Sequence, residues 1–362
     1  MDEKILEIRN LSVEYYRRKR VIPAVRNVSL EINENETLGI VGESGCGKST
    51  LALAILRLIN LNEGKITSGE ILFRETDNGK RPSAGEAGIT ENKDILKLSE
   101  EELEKIRGGK IAMVFQDPFT SLNPVIRIGE QIAEVIRIHQ LSIIHPPSPL
   151  LRFAKQSGRD CGGRANYQLP IKEKVIQILK QVMIAEPERV YNSYPHQLSG
   201  GMQQRVMIGM AISTRPKIII ADEPTTALDV TTQKEILELL KFLRKELSMS
   251  IVLITHNFGI ICEYTDRVIV MYAGEIIEEG EVKKIFSLPL HPYTQALIRS
   301  LPKKGEKPSR LSAIPGQVPD MLSLPPGCKF NPRCEKRMNI CLSNEPKLLL
   351  VNQRKVSCFL YN

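Results

Sequence analysis

The sequence predicts an α/β fold: a largely parallel sheet with helices covering its faces. Three observations carry that expectation. Short apolar runs bounded by breakers, "PKIIIADEP" at 216–224 and "SIVLITHN" at 250–257, read as strands buried on both faces. Between them, "TTQKEILELLKFLRKEL" sets Ile236, Leu239, Leu240, Leu243 and Leu247 on one helical stripe. Finally, "TLGIVGESGCGKSTLALAILRLI" at 37–59 runs from an apolar strand through a glycine-rich turn into a helix. Strands that alternate with helices in this way build parallel units.

The remaining elements follow in order. "LSVEY" at 11–15 and "VSLEI" at 28–32 alternate apolar and polar residues, the pattern of half-buried strands. "GKIAMVFQD" at 109–117 is a further apolar strand, and "IKEKVIQILKQVMI" at 171–184 has helical spacing. Two stretches read as inserted surface loops. Residues 75–94 are polar and glycine-containing, and residues 145–170 are proline-rich without periodicity. Near residue 300 the composition shifts to Pro, Lys and Cys, which marks a boundary.

The net charge of +8 is unevenly placed. Residues 301–362 hold 11 Lys/Arg and four Asp/Glu, a net charge of +7, so the body is close to neutral. A basic tail can face nucleic acid, an anionic membrane surface or an acidic partner, or can be a solvated surface. The opening "MDEKILEIRN" is charged from its second residue, unlike a secretory signal. No run reaches the roughly 18 apolar residues of a membrane span. The expectation is a cytosolic chain with reduced thiols.

"GESGCGKST" fits G-x-x-x-x-G-K-[ST] at Gly42, Gly47, Lys48 and Ser49. Phosphates need many donors at close range; glycines let backbone N–H groups turn inward, and the helix that begins there adds its positive end. Lys48 would reach the β- and γ-phosphates and the Ser49 hydroxyl would ligate Mg²⁺. Asp222 ends the apolar run "IIIAD" and would hold Mg²⁺ through its water shell; Glu223 would polarise the attacking water. "LSGGMQQR" at 198–205 starts another helix with a serine and two glycines, a second anion site. One chain already cradles a nucleotide at 42–50, so the second site suggests the nucleotide of a neighbouring subunit.

Taken together, these motifs resemble the ABC-type ATPase subunits over residues 5–300. The resemblance implies a P-loop ABC ATPase domain at 1–286, with a mixed sheet and a helical subdomain at about 117–210, followed by a cysteine-containing extension at 287–362. It implies adenine stacking by Tyr15 and ATP binding by the loop residues Gly42, Ser44, Gly45, Cys46, Gly47, Lys48, Ser49 and Thr50. Ser199, Gly200 and Gly201 match the family's signature motif, Asp229 its D-loop and His256 its switch histidine. Gln116 in "VFQDPFTSLNP" matches the Q-loop, which senses the γ-phosphate and Mg²⁺. The resemblance further implies that two such subunits pair head to tail, each ATP lying between one subunit's phosphate loop (Gly42–Thr50 here, the family's Walker A loop) and the other's signature helix.

"VFQDPFTSLNP", "LPLHPYTQALIRSLP" and the tail "GCKFNPRC" narrow the resemblance to oligopeptide/dipeptide-type importers. That implies a second ATPase subunit, two membrane permeases, an external binding protein and a place on the cytoplasmic face of the membrane. Relatives carry nickel or oligosaccharides. A soluble ABC ATPase acting on nucleic acid or ribosomes is the competing reading, and an exporter ATPase a third. The first would show paired cassettes, a coiled coil or zinc modules, and the exporter would not need the HPYT segment.

Cys328, Cys334, Cys341 and Cys358 are separated by 5, 6 and 16 residues. No Cys-x₂₋₄-Cys step of a zinc knuckle occurs. Four thiolates are the number a cubane cluster needs, but the spacing alone leaves metal and unpaired thiols both open. The family resemblance implies a 4Fe-4S cluster, expected to act as a staple for a tail too small for its own core. Cys46, at a helix N-terminus, sits where a thiol can be acidified, although it is expected to act as filler.

Overall fold

The computed structural model describes residues 3–17, 20–74, 92–139, 170–301 and 314–361. The inserted loops expected at 75–94 and 145–170 lie outside the described residues, apart from Asn92–Asp94 and Pro170, as does Cys161. The chain divides into two compact units. Met1–Leu103, Lys217–Pro224 and Leu240–Asn362 form the first; Glu104–Pro216 and Thr225–Leu239 form the second. Residues 287–362 therefore belong to the same unit as the phosphate loop.

The strands, in chain order, are β1 (Lys4–Arg17), β2 (Arg20–Asn33), β3 (Thr37–Val41), β4 (Gly64–Arg74), β5 (Asn92–Asp94), β6 (Ile111–Val114), β7 (Ile218–Asp222), β8 (Ser250–Thr255), β9 (Arg267–Tyr272), β10 (Glu275–Glu281), β11 (Leu349–Val351) and β12 (Arg354–Val356). All but β6 belong to the first unit.

Two sheets organise the first unit. One is antiparallel, in the order β2-β1-β4-β5. The other runs β11-β12-β10-β9-β3-β8-β7 within this unit. Only its centre is parallel, where β3 lies between β8 and β9 and β7 follows β8. The sheet is thus mixed, as the family resemblance implies, and not largely parallel as the strand pattern alone suggests; the alternating runs at 11–15 and 28–32 lie in a separate sheet. The cause is connection length. Strands as close in sequence as β1 and β2 can pair only antiparallel, since a parallel partner needs a long crossover. β9 and β10 are likewise joined by the two-residue turn Ala273–Gly274, whose positive φ angles of 47° and 83° suit a tight hairpin.

The parallel strands are buried throughout. Each buried aliphatic side chain there, such as Leu38, Ile40, Ile219 and Ile254, contributes about 1.5–3 kcal/mol. Ile236, Leu239, Leu240 and Leu243 of the helix Val230–Leu247 are buried as the stripe predicts, and Leu247 is half-buried.

The described residues of the tail join the core of the first unit. Tyr293 and Phe330 join Val41, Val270, Tyr272 and Ile277 in one cluster, and Cys328 and Cys334 pack against it. Buried Glu278 anchors the turn before the helix Pro292–Arg299 by accepting the Leu290 and His291 amides at 2.8 and 2.9 Å. The second unit is a cluster of helices, Ile128–Ile138, Ile171–Gln181, Pro187–Asn192 and Gly200–Ile212, packed through Ile132, Val175, Leu179, Val190 and Ile208.

Candidate active site

Buried β3 delivers the chain into the loop Gly42–Gly47, and the helix Lys48–Ile55 starts immediately after it. Gly47 caps that helix at φ 100°, a conformation that favours glycine, and a Cβ there would stand 2.2 Å from the Ala24 carbonyl oxygen. Lys48 is buried, and its Nζ donates to the carbonyls of Gly42 and Glu43 at 2.8 and 3.0 Å. The loop therefore wraps its own cation, with Ser44, Gly45 and Ser49 exposed around it and Thr50 half-buried. Cys46 is not acidified: burial pushes its thiol up, outweighing Lys48 nearby. Its sulfur fills space beside Gly42.

Asp222 ends β7, next to β8. One carboxylate oxygen, Oδ1, is buried without a hydrogen-bond partner, and Ser49 hydrogen-bonds the side chain. Burial lifts the Asp222 carboxyl above its usual range; Ser49 and Lys48 oppose the shift. An acid with an unsatisfied oxygen beside a serine hydroxyl fits a hydrated Mg²⁺, because the cation favours the charged form that burial penalises.

Glu223 follows in left-handed backbone, φ 46°, with its amide bonded to the Ile254 carbonyl at 2.9 Å. Strained backbone of this kind is held by its surroundings and gathers at functional sites. His256, just past β8, places Nδ1 3.0 Å from Glu223 Oε1. The first unit thus brings together Lys48, Ser49, Asp222, Glu223 and His256. Tyr15 lies half-buried in β1 and its neighbour Tyr16 is 45% exposed.

In the second unit, Ser199 caps the helix Gly200–Ile212, its Oγ accepting from the Met202 amide at 3.3 Å. A Cβ on Gly201 would meet Thr232 Cγ2 at 2.6 Å. Thr232 in turn donates its hydroxyl to Asp229 Oδ2 at 2.7 Å and its amide to Asp229 Oδ1 at 3.0 Å. These bonds hold the exposed Asp229 below the usual carboxylate range. The signature turn and Asp229 are therefore joined through one threonine. Gln116 is exposed, two residues beyond β6. The same unit carries an apolar groove of about 440 Å³ lined by Ala112, Met113, Phe115, Leu122, Val135 and Met207.

Two residues escaped the sequence reading. Tyr293 and Arg333 both bond Glu43, the second residue of the phosphate loop. "HPYT" was noticeable as a segment, but no local pattern says that its tyrosine reaches a loop 250 residues away.

The six described cysteines are free thiols. Cys328 feels the charges of Cys341, Cys358 and Cys334, so the four tail thiols are neighbours. Burial pushes Cys328 up to about 12 and also raises Cys334 and Cys358. Among the described residues, no three His, Cys, Asp or Glu side chains stand close enough to share one metal ion.

Comparison with known proteins agrees with this geometry. Residues 25–226 match the ABC transporter family, and residues 277–341 match the oligopeptide/dipeptide transporter C-terminal region. The chain is 42% identical to the oligopeptide transport ATP-binding protein AppD of Bacillus subtilis, covering 99% of this chain and 97% of that protein. It is 43% identical to the dipeptide transport ATP-binding protein DppD of Haemophilus influenzae, over 98% and 94%. Among solved structures, the dimeric ATP-binding cassette MJ0796 bound to ADP and phosphate matches with a TM-score of 0.55 at 31% identity, covering 76% of this chain and 98% of that one. With its phosphate loop, paired acids and signature turn all in place, the chain belongs to the ABC transporter family, among the ATP-binding proteins of the oligopeptide and dipeptide type.

Proposed function

We propose that this chain is the ATP-hydrolysing subunit of an ABC importer, coupling ATP binding and hydrolysis to uptake of oligopeptides or dipeptides. The observation that carries the chemistry is the Glu223–His256 contact one residue beyond Asp222. Lys48 and the loop amides bind the β- and γ-phosphates, and Tyr15 stacks on adenine. Glu223 takes a proton from the attacking water, and His256 holds that carboxylate in its direction. Ser49 and Asp222 would hold Mg²⁺, with Gln116 sensing it, and the bound ion would supply positive charge against that of the transferring phosphoryl group. The turn Ser199–Gly201 offers only backbone amides and a helix end, so it suits the γ-phosphate of a nucleotide bound by a second ATPase chain.

The groove beside Phe115 suits an apolar helix end of a membrane permease. Among the described residues, no helix is long and apolar enough to cross a membrane. Two permeases, a second ATPase and an external binding protein complete the system on the cytoplasmic face. Tagged chain purified from detergent-solubilised membranes is expected to bring integral membrane proteins with it. Recovery of ribosomes or DNA instead would overturn the transport reading. Uptake of labelled dipeptide, nickel and oligosaccharide by the reconstituted system decides the substrate.

We propose a 4Fe-4S cluster on Cys328, Cys334, Cys341 and Cys358 on the ground of the family resemblance. Burial pushes the thiols of Cys328, Cys334 and Cys358 up, and hydrogen bonds from the Phe330, Lys336 and Leu360 amides oppose that push only in part. Anaerobically purified protein is expected to contain iron and to absorb in the visible; stoichiometric zinc without iron would remove the cluster.

A further inference from the structure

The segment that bears the cysteines also grips the phosphate loop. Arg333, in the short turn Asn331–Arg333, is 7% exposed. Its guanidinium meets Glu43 with two prongs, Nη1 to Oε2 at 2.7 Å and Nη2 to Oε1 at 3.0 Å. Nε donates to the Pro315 carbonyl at 2.9 Å and Nη1 to Tyr272 Oη at 3.4 Å. The cation also stands over the Tyr272 and Phe330 rings at 5.9 and 6.0 Å. The Glu43 amide donates to Tyr293 Oη at 3.0 Å, and Tyr293 is fully buried. Glu43 is thus held at both amide and carboxylate by residues about 250 and 290 positions away. Its carbonyl in turn accepts from Lys48 Nζ.

A buried arginine fork is held in one geometry by its planar donors, and removing either partner leaves the other charge stranded. The loop it clamps contains three glycines within six residues and would otherwise be conformationally free. Fixing such a loop before the ligand arrives removes an ordering cost from binding. We propose that Arg333 is a positioning residue: by clamping Glu43 it presets the phosphate loop, so that the C-terminal tail sets part of the affinity for ATP. The proposal rests on the loop being the ATP site.

The test uses the full-length chain. ATP–Mg²⁺ affinity is measured by calorimetry with Glu223→Gln present to prevent turnover, and KM and kcat are measured without it. Lys48→Ala is the control for the underlying reading: ATP binding that survives it removes the loop as the ATP site, whatever Arg333 does. Arg333→Met should raise Kd and KM about tenfold while kcat stays within about twofold. Arg333→Lys, which keeps the charge but loses the fork, should recover part of the loss. Glu43→Gln should give the same shift as Arg333→Met, and the double variant no more than either alone. Wild-type affinity in Arg333→Met, additive effects in the double variant, or a fall in kcat at constant KM would each overturn the proposal. Should Arg333→Met fail to fold by thermal melting, Glu43→Gln decides from the half-exposed side of the pair, and wild-type affinity there rejects the clamp.

Discussion

The phosphate loop and the signature turn are both glycine-bearing helix starts, yet they are built on opposite principles. The loop surrounds a buried ammonium, faces an acid with an unsatisfied oxygen and neighbours a strained glutamate paired with a histidine. The turn has no charged side chain between Leu198 and Gln204; its serine hydroxyl is engaged in capping and its second glycine is pressed against Thr232. On the proposed reading, the first carries charge and proton chemistry, while the second supplies amide donors in a fixed shape. A site of the second kind can read a phosphate but cannot hydrolyse one. That division is what a shared nucleotide site between two chains requires.

The contrast can be broken most severely at the base. Glu223→Gln should lower turnover by about a thousandfold and leave ATP affinity unchanged, because it removes a proton acceptor and no phosphate contact. Rapid hydrolysis in that variant would place the base elsewhere. Gly201→Val comes next: its side chain collides with Thr232, and turnover should fall about a hundredfold while ATP binding by the dilute chain stays normal. Weaker ATP binding there would show that the two turns do not act separately.

Asp222 gives a smaller and pH-dependent effect. Its carboxyl is raised by burial, so its ionisation opposes folding and stability falls as pH rises from the ordinary carboxylate range through the raised value. Mg²⁺ reverses the preference by favouring the charged form. Affinity for Mg²⁺ with ATP should therefore drop by about tenfold per pH unit once pH falls below the raised value, and Asp222→Asn should flatten that profile. The mildest expected change is in the signature unit. Thr232→Val removes the hydroxyl that helps hold Asp229 low, so its stability loss should appear above the ordinary carboxylate range and vanish as pH falls through the lowered value. Thermal melts across the acid range read this directly.

The phosphate loop, the signature turn and the ends of β7 and β8 were legible in sequence because each is a contiguous stretch whose residue types state their own geometry. The stripe on the helix Val230–Leu247 was legible for the same reason. What failed was long-range. Alternation at 11–15 and 28–32 identifies strands but not their sheet, since pairing is set by connection length and by partners such as β4. Cys46 is the filler it was expected to be: burial pushes its thiol up despite its place at a helix start. That the tail lacks a core of its own was legible from its composition, but not that Phe330 and Tyr293 enter the core shared with β9 and β10. The Arg333–Glu43 pair joins two segments whose local sequences give no sign of each other.

The pairing of β12 with β10 has a practical consequence. A chain shortened after residue 300 keeps every phosphate-site motif in the first unit, and on motif content it looks like a minimal cassette. Such a chain would lay bare the outer margin of β10, with the donors and acceptors that now meet Lys355 and Val356 left open. Unprotected margins of this sort recruit strands from other molecules. The full chain ends the sheet instead on β11, three residues long and too short to be an effective template. Covering that margin is thus a further task of the tail beside its contacts to the core and to Glu43, and a shortened chain that precipitates would have lost all three.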